Sequence, residues 1–121
     1  MTNKLTPQQL LEIARAVEPD IIWQLESSDL IIGVRKTNDG YVPTSAYEPL
    51  KPTERGQAQL MRVVLAVLDR GTDLNVCFDS DDELYHCFMW LEGRSESASA
   101  TGYTKADAIL SLAHEVLCNA S

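Results

Sequence analysis

The 121-residue chain has no apolar run approaching the ~20 residues of a membrane-spanning helix. Its first residues, Met1-Thr2-Asn3-Lys4-Leu5-Thr6, contain no apolar signal core. There is no C-x-x-C pair and no glycine-rich phosphate loop, so the common zinc and nucleotide signatures are missing. Three cysteines, Cys77, Cys87 and Cys118, make no disulfide framework, and the odd number suits a reducing compartment. Cytoplasmic residence is the expectation. Positive charge is also scarce. Ten Lys and Arg face 18 Asp and Glu, for a net charge of −8. The deficit is uneven: residues 1–52 carry 7 acidic and 5 basic groups, residues 53–121 carry 11 and 5. Such a surface repels phosphate backbones, which argues against nucleic acid as a direct ligand.

What is present reads as one α+β domain spanning residues 1–121. Thr6-Pro7-Gln8-Gln9 opens a helix with a capping box, and Glu18-Pro19 closes it. Leu10, Ile13, Ala14 and Val17 share its apolar face. The stretch from Ile21 to Leu25 is a strand or a helical continuation, with Trp23 closing one end of the core. Leu30 to Arg35 reads as a strand, and Tyr41-Val42 pairs back across the Asn38-Asp39-Gly40 turn. Pro43 to Pro52 reads as an extended strap anchored by Tyr47 and Leu50. Thr53 to Arg70 is the longest helix; its broad apolar face predicts cover on more than one side, with Gly71 as a left-handed stop.

The remainder is a meander and a last helix. Leu74, Val76 and Phe78 alternate with Asp73, Asn75 and Cys77. Leu84 to Leu91 is apolar on both faces, as a central strand is. A Ser/Ala-rich third strand from Ser95 to Thr101 follows at the edge, and Thr104 caps the final helix.

Candidate chemistry is sparse. Asp79, Asp81, Asp82 and Glu83 invite a calcium-loop reading, but Leu84 and Trp90 stand where that loop needs glycine and glutamate. A solvated hairpin tip fits better. Cys77, His86, Cys87 and His114 can be drawn as a zinc set, yet His86 and Cys87 point to opposite faces of one strand; buried thiols and a satisfied imidazole are the simpler reading. Nothing selects a nucleophile, base and orienting group, so no catalytic residue, cofactor or metal is assigned.

The region from Tyr47 to Leu117 resembles the phage ABA-sandwich domain and the related NinX-like small phage proteins. The resemblance rests on Tyr47-Glu48-Pro49 before a helix carrying Ala58, Leu60, Val64 and Leu68, then a strand pair bearing Trp90. Thr104, Ala108 and Ile109 then open an Ala/Leu helix. It implies a phage or prophage origin and no particular activity. The α-β-β-β-α order and Gly102-Tyr103-Thr104-Lys105-Ala106 also resemble the double-stranded RNA-binding domain, but Lys105 stands alone where that family places several lysines.

The expected fold is thus a mostly antiparallel sheet of four to five strands with three helices. Its expected core is Leu10, Ile13, Val17, Leu60, Val64, Val67, Leu68, Leu74, Val76, Phe88, Trp90, Ile109, Leu110, Ala113 and Leu117. The expected function is non-catalytic: a small acidic phage accessory protein that binds a host or defence-system protein with a basic surface. Asp73, Asp79, Asp81, Asp82, Glu83, Glu92 and Glu96 would form the docking patch and imitate nucleic-acid charge. A homodimer through the edge from Ser95 to Thr101 is a further expectation. A degenerate RNA-binding domain and a small enzyme are the alternatives.

Overall fold

The computed structural model describes residues 5–28, 30–93 and 97–118. Helix α1 (Pro7–Val17) starts where its capping box predicts. The Gln9 amide donates to Thr6 Oγ1 at 3.2 Å and the Thr6 amide donates to Gln9 Oε1 at 2.9 Å. Pro19 then forces the chain out of the helix.

The ambiguous stretch that follows is strand β1 (Ile22–Ser27). It pairs with β2 (Leu30–Thr37), which pairs in turn with β3 (Gly40–Tyr47) in a three-stranded antiparallel sheet. The anticipated strap from Pro43 onward is therefore shorter: its first residues finish β3. Pro43 is tolerated because β3 is an edge strand and the register shifts beside it, the places where a sheet accepts proline. Tyr47 does anchor this segment, at 6 % exposure, but Leu50 is exposed. The second anchor is a residue of opposite character, the buried Gln59. Its amide donates to the Ala46 carbonyl at 2.8 Å and its Oε1 accepts from the Glu48 amide at 2.7 Å.

Helix α2 (Glu54–Leu68) is capped by Thr53, whose hydroxyl accepts from the Gly56 amide at 3.0 Å. Gly56 lies so close to the carbonyls of Glu48 and Lys51 that a Cβ would overlap them. The expected cover on several sides is not there. Val63 and Val67 are fully buried, but Met61, Leu65 and Leu68 are exposed, because neighbouring elements pack on one face of α2 only. Leu68 thus leaves the expected core. Gly71 is not a left-handed stop either: the helix ends at Asp69 in right-handed geometry, and the two positive-φ glycines described are Gly40 and Gly93. Gly71 is needed for closeness, since a Cβ there would strike the Trp90 carbonyl.

Strands β4 (Gly71–Asp79), β5 (Leu84–Leu91) and β6 (Ser97–Gly102) form a second antiparallel sheet with β5 in the centre. The four to five strands expected in one sheet are six in two. The sequence pattern does not show the split, because each meander reads the same locally whether or not the sheets join. Helix α3 (Lys105–Ala113) packs on β5 and β6, and a π-helical turn (His114–Cys118) continues it against α1. The helices pack on one another as a middle layer, with α1 against the first sheet and α3 against the second. Leu11, Ala14, Trp23, Ile31 and Tyr47 fill the first interface; Val63, Val67, Cys87, Met89, Leu110 and Leu112 fill the second. No helix among the described residues is long and apolar enough to cross a membrane.

Candidate interaction surface and polar cleft

Strand β5 is apolar on both faces, and the middle layer covers only one of them. Cys87 and Met89 are fully buried beneath α3. Burial pushes the Cys87 thiol up to about 11, with Cys77 adding to the shift. The alternate residues His86, Phe88 and Trp90 stand on the outer face, where no element among the described residues covers them. Phe88 and Trp90, expected in the core, are 40 % and 50 % exposed. Their strand parity decides this: once Met89 faces the helices, its two neighbours cannot.

The surroundings of these aromatics are small and polar. Across β6 the partners of Phe88 and Trp90 are Ser99 and Ser97; across β4 they are Asn75 and Thr72. A bulge interrupts β4 between Thr72 and Asn75. Asp73 sits in it with φ of 60°, and the Asn75 side-chain amide donates to the Asp73 carbonyl at 2.6 Å. Cys77, read from the sequence as a buried thiol, is exposed on this same face beside His86.

The acidic residues do not make one continuous patch. Asp79, Asp81, Asp82 and Glu83 surround the β4–β5 tip, whereas Asp73 and Glu92 lie at the other end of that hairpin. The ends are separated by the length of β5, about 23 Å at the usual strand rise. Glu96 lies outside the described residues, as do Ser95 and Arg94. At the tip, Asp79 and Asp82 accept from the Asp81 and Leu84 amides at 2.9 and 3.0 Å. His86 Nε2 is 2.8 Å from Asp82 Oδ2 and 3.9 Å from Asp79 Oδ2. Desolvation is the largest single influence on Asp82 and opposes its ionisation, but hydrogen bonds from His86 and the Leu84 amide, with the charge of His86, together outweigh it and hold the carboxyl below its ordinary range.

A second feature lies around the free edge of β6. A polar cleft of about 610 Å³ is lined by Gln9 of α1, Ser99 and Thr101 of β6, His86 of β5, and Ser111 and His114 at the end of α3. The Ser111 hydroxyl is buried without a hydrogen-bond partner among the described residues. His114 Nε2 lies 3.0 Å from Glu12 Oε2, joining the end of α3 to α1. Cys118, one turn on, brings its sulfur close to both; burial raises its thiol, and Glu12 adds to the shift. The sequence reading passed over Glu12 and Cys118. The four-residue spacing of His114 and Cys118 on a helix was the available signal, but nothing local indicates that α1 supplies a carboxylate. The set drawn from sequence does not assemble: Cys77 is on the outer face and Cys87 on the inner face, and His86 and His114, though both line the cleft, belong to separate donor clusters among the described residues.

No protein-family model, curated protein or solved structure matches this chain, so its functional reading rests on these two surfaces.

Proposed function

We propose that the protein is a non-catalytic binding module that docks a partner protein on the outer face of its second sheet. The observation that carries this reading is the uncovered pair Phe88 and Trp90 on the central strand. Tryptophan and other aromatics on the exposed face of a central strand, flanked by small polar groups, have the anatomy of a binding hot spot. Acidic groups stand at both ends of the same hairpin, and the net charge is −8. The favoured partner therefore combines an apolar recess with a basic rim. In its sharpest form the reading is a phage or prophage accessory protein that obstructs a host defence or nucleic-acid-handling complex. The aromatics would supply affinity; the acidic ends would supply steering and salt dependence.

The test is a pull-down from host lysate at low and high salt, with wild-type and Phe88→Ser/Trp90→Ser protein as baits. A partner that the double variant loses, and that salt weakens, supports the reading. A partner held equally by both baits removes the sheet face from it. Dimerisation through β6 is checked by light scattering, where a strict monomer excludes it.

A further inference from the structure

Three donor atoms of different chemistry converge where α1 meets the π-helical turn. They are Glu12 Oε2, His114 Nε2 and Cys118 Sγ, all within 4.8 Å of one another. Residues 12 and 114 are far apart in sequence, so the fold, not local chain geometry, brings them together. The His114 side chain is 12 % exposed and that of Glu12 is 41 % exposed, so the cluster lies at the rim of the core, within reach of solvent. We propose that Glu12, His114 and Cys118 bind a single zinc ion.

A carboxylate oxygen, an imidazole nitrogen and a thiolate sulfur are all zinc ligands, with bond lengths of about 2.0–2.3 Å. Tetrahedral ligands at those lengths stand roughly 3.3–3.8 Å apart, so the cluster needs only small side-chain adjustments around an ion. The thiolate disfavours magnesium and calcium, which take oxygen ligands. Three protein ligands leave a fourth position for water or a small anion, the arrangement of an open zinc site. The polar cleft reaches His114, which gives the ion a route in.

The backbone that carries two of the donors is itself unusual. His114 and Cys118 are the ends of a π-helical turn, a local departure from α-geometry that occurs frequently at functional sites. The tip cluster of Asp79, Asp82 and His86 is the internal comparison: it is also three donors within 4.8 Å, but its donor set has no thiol and no fully buried member.

The experiment uses the full chain, reduced and stripped with chelator, titrated with cobalt(II) and then zinc. The expected result is one equivalent bound, a near-ultraviolet thiolate-to-cobalt charge-transfer band, and displacement of cobalt by zinc. Cys118→Ser abolishes the band. His114→Gln lowers zinc affinity at least about 100-fold, beyond what loss of an outer hydrogen bond causes. His86→Gln leaves both unchanged, and circular dichroism confirms that every variant is folded. Absence of stoichiometric binding by folded wild-type protein overturns the proposal. So does a site that survives Cys118→Ser and disappears with His86→Gln.

Discussion

The molecule contains two tryptophans, and its two sheets use them in opposite ways. Trp23, on β1 of the first sheet, is 2 % exposed. Its ring meets Tyr47 edge-on at 5.3 Å, and its Nε1–H donates to the Glu18 carbonyl at 3.2 Å. It is the plug between α1 and the first sheet. Trp90, on β5 of the second sheet, is 50 % exposed and faces away from the helices. Both sheets are three-stranded antiparallel meanders packed on the same helical layer. The difference lies in strand parity: in the second sheet the inward places go to Cys87 and Met89, and the large aromatics are left outside. A buried tryptophan with a satisfied N–H stabilises the fold; a half-exposed one on a central strand is available to a partner.

The strongest way to break this comparison is to truncate each tryptophan. Trp23→Ala is expected to cost about 3–5 kcal/mol of stability. Trp90→Ala is expected to cost less than about 1 kcal/mol of stability but about 2–4 kcal/mol of partner binding. Chemical denaturation and a binding titration check the two halves, and equal loss of stability in both variants would erase the distinction. Neighbours on β5 sharpen it within a single strand. Met89→Ala should destabilise by about 2–5 kcal/mol, and Phe88→Ala by much less, since one is enclosed and the other is not.

A smaller effect is expected at the seam between β3 and α2. Gln59→Ala leaves the Ala46 carbonyl and the Glu48 amide without their partner, at about 1–3 kcal/mol. A denaturation midpoint that does not move would show that water replaces the side chain. The smallest effects concern titration. The Cys87 thiol is raised from 9.0 to about 11 by burial and Cys77. A raised pKa means that the unfolded chain loses its thiol proton first. This contribution to stability is therefore full below pH 9 and is lost as pH rises through 11. Thiol alkylation followed by mass spectrometry should label the exposed Cys77 before the buried Cys87. Asp82 shifts the other way: His86→Gln should return its carboxyl toward the ordinary range, read by NMR titration.

Much of the local structure is legible in the sequence, because it depends on short-range chemistry. Thr6, Thr53 and Thr104 are helix caps, as their hydroxyls and following residues indicate. The tip at residues 79–83 and the edge strand β6 follow from charge and small-residue content. The alternation of β5 is also readable, but not its sense. Leu84, His86, Phe88 and Trp90 are as bulky as Tyr85, Cys87, Met89 and Leu91, so hydrophobicity cannot choose the buried set. The same limit applies to α2, where Met61, Leu65 and Leu68 look as apolar as Val63 and Val67.

The candidate sites were less legible still. The acidic residues look contiguous when counted along residues 69–96, yet a hairpin separates Asp73 and Glu92 from the tip by its whole length. Glu12 carries no local signature, and only the packing of α1 against the end of α3 brings it to the His114–Cys118 pair.

By itself the sequence determined the helix starts, the alternation along the second meander, the turns at residues 38–40 and 79–83 and the acidic balance, because each depends on residues within a few positions of one another. Tertiary structure decided three further things: that the strands divide into two sheets, that Trp23 is inside and Trp90 outside, and that Glu12, His114 and Cys118 meet. The physical reason is common to all three. Which apolar face is buried, and which polar groups converge, depends on what packs opposite, and a strand or helix does not carry that information in its own residues.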